Sequence, residues 1–98
     1  MALIHLLSRT EWEQARQGKD SYAPASLASE GFIHLCAPEQ LPGVLERYFV
    51  GKTDTVALHL DEDKLQGEVR WEDSYGHGLF PHLYAPLNLN AVIDIESV

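Results

Sequence analysis

Four of the chain's five histidines are followed directly by leucine, at His5-Leu6, His34-Leu35, His59-Leu60 and His82-Leu83. Imidazole gains or loses its proton near neutral pH, so it suits acid–base chemistry, polar-ligand binding or metal ligation. Each pair lies in a strand-like segment, where neighbouring side chains point to opposite faces. Leucines turned into the core therefore send the histidines the other way, toward solvent or a cleft. His5, His34 and His82 are expected to line one wall. Glu72 and Tyr84 would add a carboxylate and a phenol for acid–base work or for holding a polar ligand. The competing role for any single histidine is a hydrogen-bonded structural one. His59, in a cleanly alternating strand, is read as structural, and His77, between two glycines, as solvated.

Other chemistries leave less trace. Two-histidine phosphoesterases repeat His-x-Thr/Ser, but the third positions here are Leu7, Cys36, Asp61 and Tyr84. Neither phosphate-cradling glycine motif is present. Cys36 and His34, two apart on a strand, share a face without meeting closely, which argues against a Cys–His nucleophile. Two or three histidines with Glu72 would suit zinc or ferrous iron. No His-x-His or His-x-x-x-His spacing supports that shell, so it would have to assemble across strands.

The elements that must position these groups follow from hydrophobic period and turn signals. Leu3–Leu7 reads as a buried strand. Ser8 opens a helix, with Glu11 at capping-box spacing and a stop near Gly18. Residues 19–30 read as a loop with one helical turn at 26–30, because Tyr22-Ala23-Pro24 forbids a long helix. Gly31–Leu35 is the second strand. Pro38 starts a helix with an apolar face of Leu41, Val44, Leu45, Tyr48 and Phe49, ended by Gly51. Residues 56–61 alternate as a strand, Asp61–Lys64 is a polar turn, and 69–72, 80–84 and 91–95 are further strands around a loop at 73–78. The expected core is Leu6, Leu35, Val44, Leu45, Phe49, Leu58, Leu60 and Leu83. The fold class is α+β, with small mixed or antiparallel sheets and two to three helices.

With 98 residues, 45% of them hydrophobic, the chain fits one domain over 1–98 with no linker. Seven Lys and Arg against fifteen Asp and Glu give a net charge of -8. Without a basic stripe to meet phosphates, nucleic acid and anionic membranes are poor partners, and a small-molecule ligand is expected. The single Cys36 excludes an intrachain disulfide and fits a reducing cytoplasm. The N-terminus shows no basic or long apolar leader, and no apolar run approaches the roughly 20 residues of a membrane span.

These residues also carry a resemblance. Ile4-His5-Leu6, Trp12, Ala15, Tyr22-Ala23-Pro24, Ser26-Leu27, Glu30-Gly31-Phe32-Ile33-His34-Leu35, Gln40, Arg70-Trp71-Glu72 and Phe80-Pro81-His82-Leu83-Tyr84 look like the bacterial domain of unknown function 952. The resemblance implies a fold similar to the ADP-ribosyltransferases, in which two small sheets form a cleft that grips a dinucleotide. By order along the chain it implies His5 as the residue holding the adenosine ribose and His34 or Tyr22 as the one shaping the nicotinamide pocket. Glu72 would orient the reacting ribose. A carboxylate there suits glycosidic cleavage, which develops positive charge on the sugar. The expectation is a cleft with Glu72 and His34 as catalytic candidates and His5, His82, Tyr84 and Tyr22 as ligand-binding candidates. NAD or another nucleotide-sugar-like molecule is the candidate ligand. The alternative is a non-catalytic binding or regulatory domain, and the third reading is a histidine–carboxylate metal site.

Overall fold

The computed structural model describes residues 2–17 and 20–98. Strand β1 (Ala2–Ser8) runs directly into helix α1 (Arg9–Ala15). Ser8 makes the junction: its Oγ accepts from the Glu11 N–H, and its own N–H donates to the Glu11 carboxylate. This reciprocal pair satisfies two donors that the helix leaves orphaned. The helix buries Trp12 and Ala15 and ends at Ala15. The stop expected near Gly18 lies outside the described residues.

Strand β2 (Ser21–Tyr22) and helix α2 (Ala25–Glu30) follow, then β3 (Ile33–His34), a 3-10 turn at Pro38–Gln40 and helix α3 (Leu41–Tyr48). Next come β4 (Thr55–Asp61), β5 (Val69–Asp73), β6 (Leu79–Leu83), β7 (Leu87–Asn88) and β8 (Val92–Ser97). All pairings are antiparallel and form three small sheets, ordered β1-β4-β8, β2-β7 and β3-β6-β5. An isolated bridge between Ile4 and Cys36, with both backbone hydrogen bonds at 2.8 Å, ties the first sheet to the end of β3. The architecture is α+β. The β2-β7 pair escaped the sequence reading because two-residue strands carry no measurable alternation.

Register explains which faces are buried. Leu3, His5 and Leu7 pair with Leu60, Leu58 and Val56, so these six share one face. Five of the six, all but His5, belong to the main core, with Trp12, Ala15, Ile33, Leu35, Leu83 and Leu87. The opposite face of the sheet carries a second cluster of Ile4, Cys36, Ala57 and Phe80, against which Leu6, Leu41 and Val44 pack.

Two expectations are corrected here. Leu6 is half-buried rather than core, because β1 turns His5 to the main core side and sends Leu6 the other way. Val44, Leu45 and Phe49 are also half-buried, and α3 buries no residue fully. This helix lies over the smaller cluster, where it forms one side of a cavity instead of closing a core. Leu35, Leu58, Leu60 and Leu83 are buried as expected.

Candidate functional site

Backbone register puts the polar groups together on the β3-β6-β5 sheet. His34 pairs with His82, which in turn pairs with Arg70, while Ile33 and Leu83 occupy the adjoining core positions. Leu83 and Leu35 thus enter the core and His82 and His34 take the other face, as the strand period predicts. Gly31 ends α2 in a left-handed conformation (φ 88°), a region glycine reaches without a Cβ penalty, and this sharp stop delivers Phe32 beside the histidines.

Two similar hydrogen-bonded units meet at the histidine pair. In the first, the Tyr84 hydroxyl donates to Glu72 Oε1 at 2.5 Å, and His82 Nδ1 donates to the same oxygen at 3.0 Å. In the second, the Tyr75 hydroxyl donates to Glu30 Oε1 at 2.5 Å, and His34 Nε2 donates to Glu30 Oε2 at 2.8 Å. The two imidazoles lie edge to face with centroids 5.4 Å apart. Phe32 stacks on His82 at 4.0 Å and meets His34 edge-on at 4.9 Å.

The electrostatics follow from these contacts. The Tyr84 hydroxyl and then the His82 imidazole hold the Glu72 carboxyl below its usual range, and the same carboxylate pushes the Tyr84 phenol up. Tyr75 and His34 depress Glu30 in the same way. Hydrogen bonds to the charged form are the common cause. Both carboxylates are therefore ionised at neutral pH.

His5 is held differently. Its Nδ1 donates to the His34 carbonyl at 2.8 Å, which leaves Nε2 as the lone-pair nitrogen of a neutral ring. Burial lowers its pKa, opposed by that carbonyl bond. The Nε2 atoms of both His5 and His82 are buried and have no partner among the described residues.

A cavity of about 710 Å³ opens between β1, β3 and α3. His5 and His34 line it, with Ile4, Leu6, Val44, Phe49 and Phe80 as apolar wall and Tyr48, Tyr75 and Arg47 as larger polar groups. Cys36 also lines it, and burial pushes its thiol up to about 11. The volume falls in the range of roughly 300–1,000 Å³ typical of small-molecule pockets.

The structure therefore divides the expected wall. His5 and His34 border the cavity, whereas His82, Glu72 and Tyr84 form the network beside it, joined to it through His34. Tyr22 lines a separate cavity of about 510 Å³ with Glu11 and Pro24, although its ring still meets His5 at 5.6 Å. Burial, and then Glu11, push the Tyr22 phenol up to about 12. His59 pairs with Glu96 across the other sheet, away from this site. Among the described residues no three His, Cys, Asp or Glu side chains gather to hold a metal ion, so the metal shell weighed from sequence has no assembled counterpart.

Sequence reasoning missed Glu30, Phe32, Tyr75 and Arg47. Glu30 had a usable signal, because it stands four residues before His34 across the Gly31 turn. Tyr75 had none, since its loop position depends on long-range folding.

A family model described as "Protein of unknown function (DUF952)" matches residues 6–95. The crystal structure of protein CC0527 from Caulobacter crescentus is 33% identical and covers 97% of this chain and 83% of that one, with a TM-score of 0.83. The solution structure of CC0527 covers 99% and 84%, again with 33% identity and a TM-score of 0.83. No curated protein matches the chain.

Proposed function

The chain belongs to the DUF952 family of unknown function, and on that footing we propose that it binds a nucleotide-like or sugar-containing small molecule and acts on it as an ADP-ribosyltransferase-like enzyme. One observation carries the reading: His34 lines the cavity and lies 5.4 Å from His82, which is bonded to Glu72. A ligand whose base sits against the aromatic cavity wall would place its sugar at His34, the residue through which the cavity reaches the Glu72 network. Both bonds to Glu72 land on Oε1, so Oε2 is the uncommitted oxygen, and a sugar carbon in the cavity would have to reach it past His34. A fixed negative group lowers the barrier to a cationic transition state. His34 is the proton-handling candidate beside it and His5 the ligand-binding candidate at the cavity, while His82 and Tyr84 hold Glu72 and Tyr22 lines the separate cavity. NAD is the first candidate substrate.

The second reading is a binding module without turnover. The saturation of Glu72 Oε1 by two hydrogen bonds favours it, since a carboxylate so engaged also serves to fix the sheet.

Glu72→Gln separates the two, because its amide oxygen can still accept both bonds. A thermal-shift screen of nucleotides and sugars identifies a ligand, and calorimetry and an NAD-consumption assay follow on both proteins. Transfer or glycosidic chemistry requires that Glu72→Gln keep affinity while turnover falls by orders of magnitude. A binding module shows ligand affinity and no turnover in the wild type. A wild type that binds no nucleotide and consumes no NAD overturns the proposal.

A further inference from the structure

The chain carries fifteen acidic and seven basic residues, yet among the described residues no Asp or Glu lines the 710 Å³ cavity. Its charged group is Arg47, near the end of α3. In so acidic a chain, an arginine at a rim would ordinarily find a carboxylate. Arg9, Arg16 and Arg70 each do, pairing with Asp54, Glu13 and Glu68. Arg47 makes no ion pair among the described residues.

Its guanidinium is nonetheless seated. It lies 5.9 Å from the Tyr48 ring centroid and 6.0 Å from that of Phe80, two rings of the cavity lining. It also rests against Gly43, one turn back on the same helix, where an added Cβ would come within 3.4 Å of it. Two aromatic faces and a bare stretch of helix hold a cation beside an apolar cavity, with its donors uncommitted among the described residues. Such a fork matches the geometry of carboxylate and phosphate oxygens.

We propose that the ligand of this cavity is an organic anion, a carboxylate or phosphate on a flat apolar body, with Arg47 binding the anionic group at the rim. The inference rests on the cavity being the binding site but specifies the charge that the site selects. The apolar walls take the body, and His34, whose Nε2 is held by Glu30, offers its Nδ1 to a donor of the ligand.

The test is calorimetry on the full chain at low salt with three probes: adenosine, adenosine monophosphate and an aromatic carboxylate such as indole acetate. At least one anion should bind about tenfold or more tightly than adenosine, as one charge-assisted contact provides. Arg47→Gln should remove that preference and Arg47→Lys should restore part of it, with unchanged melting temperatures showing that the fold is intact. Equal binding of adenosine and both anions, or a preference that survives Arg47→Gln, overturns the inference while leaving the nucleotide reading standing. Binding of the carboxylate alone, dependent on Arg47, supports the inference and removes the nucleotide reading. Failure of all three probes to bind overturns both.

Discussion

Acidification should destabilise this protein through His5 before any carboxylate contributes. Burial holds this imidazole below its ordinary pKa of 6.5, while the unfolded chain restores it to that value. As the pH falls below 6.5, the unfolded state takes up a proton that the folded state refuses. The unfolded state then binds more protons, so stability rises with pH across the window between the folded pKa and 6.5, and is lost on moving down through it. One proton of difference sets the slope at up to about 1.4 kcal/mol per pH unit. For a domain of this size that is roughly 5–10 °C in melting temperature per full unit. Glu30 and Glu72 work at lower pH: their depressed pKa values contribute stability above about 4.5 that is lost only as the pH falls further. Urea unfolding at pH 7.5, 6.5 and 5.5 measures the slope. His5→Asn is the control, because its amide N–H can reach the His34 carbonyl and it does not titrate. The gap between wild type and His5→Asn should shrink as the pH falls. Equal wild-type stability from pH 7.5 to 5.5, or an equal loss in His5→Asn, would refute the argument.

Two further outcomes follow from burial. Leu83→Ala, at a site with no exposed surface, should cost about 2–5 kcal/mol in urea unfolding, whereas Leu45→Ala on half-buried α3 should cost about 1; equal costs would mean that α3 belongs to the core after all. Cys36, with its thiol pushed up to about 11 by burial, should react slowly with a disulfide reagent at pH 7.5 and promptly in urea. Fast labelling of the folded protein would contradict its placement.

What was legible in the sequence was local. The capping box at Ser8 and Glu11, the alternation from Val56 to Leu60, and the opposed faces of His34 and Leu35 each depend on neighbours within a few residues. What was not legible depended on register. His5 reads like the other His-Leu pairs, yet pairing of β1 with β4 places it opposite Leu58 on the main core face, and nothing within β1 distinguishes that choice from its reverse, because Ile4 and Leu6 are apolar too. The apolar period of α3 was equally correct as a pattern and misleading as a core assignment. A helix stripe can face a cavity as well as a core. Glu72, His82 and Tyr84 were legible as chemistry, but their separation from the cavity by His34 arises from cross-strand packing that no spacing encodes.

The tautomers decide which ring nitrogens could accept from a ligand of the proposed kind. Among the described groups, the His34 carbonyl fixes Nδ1 of His5 as a donor, and Glu30 fixes Nε2 of His34 as one. Each anchored ring, while neutral, presents its other nitrogen as an acceptor. The cavity thus combines the His34 acceptor with one guanidinium donor and an apolar wall, while the Nε2 acceptor of His5 is itself buried. A hydrocarbon would fill the volume but leave the Arg47 guanidinium without an acceptor. On the proposed reading, a ligand that carries both a donor and an anion would meet His34 and Arg47 together. Glu30 and Glu72 stand beside the imidazoles of His34 and His82, where they set proton positions, and among the described residues no Asp or Glu lines the cavity, where it would repel such a ligand.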